Sequence, residues 1–177
     1  MHIKINKNYL SYDKYKVKCA LGKRGIGTKK KEGDKITPIG RYNIKFLLYR
    51  KDRIKKIKTK LKKIVIKKNM GWCDDPSSKN YNKLIRLPVK FNHEKLYKND
   101  NSYDIILVLN FNMYPIEKNK GSAIFIHLTK NYKPTAGCIG LSEKDFFRDN
   151  NLNFDKLLKS NEMESLRINK FQQELNW

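Results

Sequence analysis

A chain of 177 residues fits one domain of ordinary size and can bury a core without a disulfide or metal staple. Its 10 Tyr, 8 Phe and 2 Trp are too many for a disordered chain, and no apolar run approaches the roughly 18 residues that a membrane helix needs. The 40 Lys+Arg against 17 Asp+Glu give a formal charge of +23, a field that draws polyanions, although Lys-, Asn- and Ile-rich usage is also what an AT-rich coding sequence produces.

The N-terminal MHIKINKNYL lacks the apolar core and small-residue cleavage site of a secretory signal. Tyr15 to Leu21 alternates apolar and polar, the period of a half-buried strand, and Cys19 falls inside it as a core residue. Gly22 to Gly40 reads as turns around short strands and misses the GxxxxGK[ST] spacing of a phosphate loop. Arg41 to Tyr49 is a further strand. From 50 to 69 basic and apolar residues alternate. Ile54, Ile57, Leu61 and Ile64 have the spacing of a basic amphipathic helix that could lie on an anionic surface, but a solvated face on a hairpin arm is the simpler expectation, with Ile64-Val65-Ile66 as strand. Ile105 to Leu109 and Ala123 to His127 are continuous apolar runs of strand length, the pattern of central strands covered on both faces. Ser142-Glu143-Lys144-Asp145 is a helix start with Ser142 as N-cap. Phe146, Phe147, Leu157, Leu158, Leu166, Ile168 and Phe171 then predict two short helices closing a single domain over 1–177.

Three cysteines without CxxC spacing leave at least one thiol free. His127 ends a buried strand, and ten residues later comes Gly137-Cys138-Ile139-Gly140-Leu141. A strand–loop–strand path can carry the imidazole to the thiol, and a neighbouring histidine lowers a cysteine's pKa towards the thiolate that attacks acyl groups. Gly137 permits a strained turn whose amides could hold an oxyanion. Against this stands the commoner fate of each residue: a free Cys as a small buried hydrophobe and a His as a satisfied core residue. His2 and His93 adjoin no buried strand. Cys73, beside Asp74-Asp75, is disfavoured as nucleophile because carboxylates raise a thiol's pKa.

Ile126-His127 with Thr135-Ala136-Gly137-Cys138-Ile139-Gly140-Leu141 resembles the active-site signature of L,D-transpeptidase catalytic domains of the YkuD type. Three further segments agree in order: Lys31 to Gly40, Trp72-Cys73-Asp74-Asp75-Pro76 with Tyr81-Asn82, and Gly121 to His127. The resemblance spans about 15–147. It implies a mainly β fold, a sandwich or barrel with a few short helices. It also implies cysteine acyl transfer on peptidoglycan stem tetrapeptides, releasing D-Ala and forming 3→3 crosslinks without cofactor or metal. By the same resemblance Cys138 is the nucleophile, His127 its base, and the Leu128 backbone orients the imidazole. Amides near Gly137 and Cys138 form the oxyanion site, and Tyr81, Asn82, Arg86 and Thr135 shape the substrate cleft. A periplasmic or envelope location follows from the substrate. Two departures stand out: Ala136 where many members have His, and Gly140 where many have Asn or Arg. They leave open trimming of the same peptide with water as acceptor. Two other readings compete. One is a polyanion-binding basic protein, although the lysines spread along the chain without a nucleic-acid module, so no specific nucleic acid is expected. The other is a zinc site of His127, Cys138 and Cys73, without paired ligand spacing to support it.

Overall fold

The computed structural model describes residues 2–12, 15–57, 59–147 and 165–169. In chain order the strands are β1 (His2–Asn6), β2 (Tyr9–Tyr12), β3 (Tyr15–Lys18), β4 (Ile26–Gly27), β5 (Thr37–Pro38), β6 (Gly40–Tyr42), β7 (Ile44–Tyr49) and β8 (Lys63–Val65). There follow β9 (Met70–Cys73), β10 (Leu84–Arg86), β11 (His93–Lys95), β12 (Ile105–Leu109), β13 (Phe125–Leu128) and β14 (Ile139–Leu141). Helix α1 (Glu143–Phe147) and β15 (Ser165–Asn169) complete them. The protein is mainly β, as its alternating and continuous apolar runs require.

A central sheet of order β14-β13-β12-β7-β8 is covered on both faces. On one face Ile105, Leu107 and Leu109 of β12, with Ile126, Leu128, Ile139 and Leu141, meet Ile3, Ile5 and Leu10 of a second sheet, β3-β2-β1-β15-β6, in the larger core. On the other face Ile106 and Val108 join Phe125 and Cys138 against Met70 and Trp72 of the small sheet β10-β9-β11. All five side chains of β12 are therefore buried although its face alternates, which is why its sequence is an unbroken apolar run. The neighbour β13 obeys the same rule: Ile126 and Leu128 point into the larger core, so Phe125 and His127 share the opposite face.

Two expectations are corrected. Leu166 and Ile168, read as helical, lie on β15, which pairs parallel with β1 and antiparallel with β6. Leu-Arg-Ile-Asn alternates with period two, and burial of both apolar residues in the larger core selects strand over helix. Leu157, Leu158 and Phe171 lie outside the described residues, and α1 is the one helix among those described. The basic segment after β7 is neither a helix nor a hairpin arm, because β7 and β8 pair in parallel and the chain must cross back between them. Ile57 and Leu61 of this crossover pack on the larger core. Arg50 at its start grips Asp52 through Nε and Nη2 and the Lys98 carbonyl through Nη1, while Arg53 binds Asp104 at 2.8 Å. These contacts staple the crossover to the 97–104 segment that forms one wall of the site.

Candidate active site

Strands β13 and β14 pair in parallel with Ile126 opposite Ile139 and His127 opposite Gly140. One residue earlier, Cys138 stands level with Phe125, two positions from His127 and on the same face. From strand spacing and rise the two Cα atoms are ~8 Å apart, diagonal neighbours. Both side chains line one cleft of about 520 Å³. His127 is held from behind: its Nδ1 lies 2.7 Å from the Leu128 carbonyl, so Nδ1 carries the proton and Nε2 is left as acceptor. The edge of the buried Tyr103 ring packs on the imidazole, with centroids 5.1 Å apart.

The thiol does not rest on the imidazole. Cys138 Sγ donates to the Ala123 carbonyl at 3.1 Å. Burial, aided by Glu94, pushes the thiol up to about 12, outweighing the Phe125 amide and the charges of Lys98 and Lys29 that favour a thiolate. Burial also lowers His127, against the raising effect of the Leu128 and Ser102 carbonyls and of Glu94. The expected thiolate held by imidazolium is thereby corrected: both groups are neutral at rest. In this arrangement the thiol could attack an acyl group only by rotating from the Ala123 carbonyl towards Nε2 and giving up its proton as it does so, a general-base route rather than one from a preformed thiolate.

The loop before Cys138 is locked locally. Thr135 Oγ1 donates to the Cys138 carbonyl at 2.6 Å and accepts from the Gly137 amide at 3.1 Å. Gly137 has a φ of 145°, and a Cβ there would stand 2.9 Å from the Ile36 carbonyl oxygen, so only glycine fits. The expected pair of oxyanion amides is thus reduced, since the Gly137 N–H is already occupied, whereas the Cys138 N–H forms no bond among the described residues.

Of the residues expected to shape the cleft, Thr135 lines it and Tyr81, Asn82 and Arg86 do not; Leu128, expected to orient the imidazole, also lies on its wall. Tyr81 is buried, donating to Glu32 Oε2 and accepting from the Gly121 amide. Asn82 accepts from Trp72 Nε1 and the Ala123 amide and donates to the carbonyls of Phe111 and Asn112. Both brace the segment that runs into β13 from behind, Tyr81 at the Gly121 amide and Asn82 at the amide of Ala123, the residue whose carbonyl the thiol meets. Arg86 is an exposed residue of β10. Cys19 is buried in the larger core, its thiol pushed up to about 12 by burial, and Cys73 is fully buried on β9 outside the cleft. His93 of β11 faces the Phe91 carbonyl at 2.9 Å. Among the described residues no three His, Cys, Asp or Glu are grouped to hold a metal, and Cys73 does not join His127 and Cys138.

Sequence reasoning missed the charged lining. Tyr103 donates to Glu94 at 2.6 Å, and Lys98 binds the same Glu94 at 3.1 Å while its ammonium lies 3.7 Å over the Tyr103 ring. Asp74 lines the cleft with Oδ1 buried and without a partner, and burial followed by the charge of Glu32 raises its pKa. Lys29 and Asp34 form a buried pair at 2.7 Å on the cleft wall. The family-like segments Lys31 to Gly40 and Trp72 to Pro76 contain Asp34 and Asp74 but gave neither a place in the cleft, because charges from distant segments meet in space and not in sequence.

Compared with known families, residues 2–148 match the model of YkuD, the L,D-transpeptidase catalytic domain. No curated protein matches the chain.

Proposed function

Because the chain belongs to the YkuD family of L,D-transpeptidase catalytic domains, acting on peptidoglycan peptides, we propose that it opens the stem tetrapeptide through Cys138, releases D-Ala and forms 3→3 crosslinks. The observation that carries the reading is the pairing of β13 with β14. It sets a thiol and an imidazole, whose Nδ1 is held by the Leu128 carbonyl, as diagonal neighbours on one face of one cleft.

In the first half-reaction Sγ attacks the carbonyl carbon of the third residue as its proton passes to His127 Nε2. The C–S bond forms and the carbonyl pair moves onto oxygen. When that pair returns, the C–N bond breaks and the proton on Nε2 leaves with the amine of D-Ala. In the second half-reaction an acceptor amine loses a proton to Nε2 and displaces Sγ, which recovers it. Leu128, through its carbonyl, is the positioning group that keeps Nδ1 protonated throughout. The substrate sets the compartment: the reaction takes place in the cell envelope.

Two measurements test this. Incubation with a carbapenem should add its mass to the intact protein at Cys138, and Cys138→Ala should show no adduct. An adduct that survives the substitution removes Cys138 from its role. Mass spectrometry of muropeptides after incubation should reveal tetra–tri dimers. Free tripeptides alone would favour water as acceptor, that is, trimming of the same substrate.

A further inference from the structure

A buried cation stands beside Gly137 with no part yet in the chemistry. The Lys29 side chain is 3% exposed and its ammonium is 2.7 Å from Asp34, itself 2% exposed. Asp34 is clasped by its own loop, accepting from the amides of Lys30 at 2.8 Å, Lys31 at 3.4 Å and Ile36 at 3.1 Å. The lysine stem lies where a side chain on Gly121 would be, since a Cβ there would be 2.2 Å from Lys29 Cε. Lys29 is thus held at both ends, and its Nζ lies 3.6 Å from the point that a Cβ on Gly137 would occupy.

An ammonium carries three protons, and Asp34 takes one. Burying such a pair is a poor way to stabilise a loop, because desolvation of two charges offsets their attraction. Its position suits another use. An oxyanion site needs at least two donors aimed at the developing charge. With the Gly137 N–H bonded to Thr135, the Cys138 N–H is the one amide of the Gly137–Cys138 turn that is left.

We propose that Lys29 Nζ is the second oxyanion donor, acting with the Cys138 N–H; the inference rests on the cysteine-transfer reading above. As Sγ adds to the carbonyl carbon, the proton moves to His127 Nε2 and the carbonyl pair becomes a negative oxygen beside Gly137. The ammonium binds that oxygen without giving up its proton, and releases it when the C=O re-forms and the C–N bond to D-Ala breaks. Asp34 keeps the ammonium in place and weakens its hold on neutral substrate, so the contact strengthens chiefly as charge appears.

The test compares wild type, Lys29→Arg and the double variant Lys29→Met/Asp34→Asn, which removes both charges so that neither is left buried alone. Single-turnover acylation of Cys138 by a stem tetrapeptide gives the rate. Calorimetric titration of that peptide into each form carrying Cys138→Ala gives ground-state affinity. The double variant should be acylated about 10²- to 10³-fold more slowly, with peptide affinity changed less than about threefold and Lys29→Arg recovering part of the rate. A wild-type rate in the double variant overturns the proposal, as does a loss of rate matched by an equal loss of affinity. If the double variant does not fold, Lys29→Gln replaces it: an acylation rate at least about tenfold lower supports the role, and an unchanged rate overturns it. A wild type that is never acylated at Cys138 sinks the transfer reading itself and this role with it.

Discussion

Cys138 and His127 are both neutral at rest because each lies out of water, and burial disfavours the charged form of either. The pH dependence follows. If His127 is the base, acylation needs Nε2 unprotonated, and burial holds this imidazole below its ordinary value, so the rate should be suppressed in acid with the midpoint of its rise below about pH 6.5. Single-turnover acylation between pH 4 and 9 checks this; a limb that rises only above pH 8 would mean that free thiolate is the reacting form. His127→Gln should slow acylation about 10²- to 10⁴-fold with the fold retained if the imidazole takes the thiol proton. The two groups themselves were legible as a strand-ending His and a glycine-led Cys. Their protonation was not, because burial is a property of the packed cleft and not of the ten residues between them.

At the scale of elements, β14 explains the glycine at 140. The strand is roofed by Ala20, whose N–H and C=O both bond Gly140 at 2.8 and 2.9 Å. A Cβ at 140 would stand 2.9 Å from the Thr129 Cβ and 3.2 Å from the Ala20 Cβ. Gly140→Ala should therefore cost about 1–3 kcal/mol, read as a lowered midpoint in chemical denaturation; an unchanged midpoint would mean the ladder shifts freely. The Asn or Arg that the resemblance would place here has no room. Helix α1 begins as its sequence foretold, with Ser142 Oγ accepting from the Asp145 amide at 3.1 Å. The misreading of Leu166 and Ile168 has a plain cause: a four-residue alternation is too short to outweigh nearby leucines with helical spacing.

Over the whole molecule, β15 lies beyond the family match yet occupies an inner place in the second sheet, between β1 and β6. Leu166 and Ile168 are buried in the core shared with the central sheet, on the face opposite the cleft. Leu166→Ala should destabilise the protein by about 2–5 kcal/mol without altering the acylation rate of the folded fraction. A mutant as stable as wild type would show β15 to be dispensable. The charge of +23 acts at the same scale. Binding to an anionic polymer such as DNA should weaken steeply between 50 and 200 mM salt and be indifferent to Cys138→Ala. Binding that persists at high salt would point instead to a dedicated site.

The chain's own order of residues determined that it is mainly β and that Ile105 to Leu109 and Ala123 to His127 run through its centre, and it singled out His127 and Cys138 as the candidate pair. Periodicity and local motifs are written in neighbours along the chain, so they survive without a fold. Tertiary structure alone decided that Tyr81 and Asn82 brace the cleft from behind, that β15 is a strand, and that Lys29, Asp74 and Glu94 line one pocket. Those outcomes depend on which distant segments pack together, and burial then sets which of their charges are paired and which protons are held.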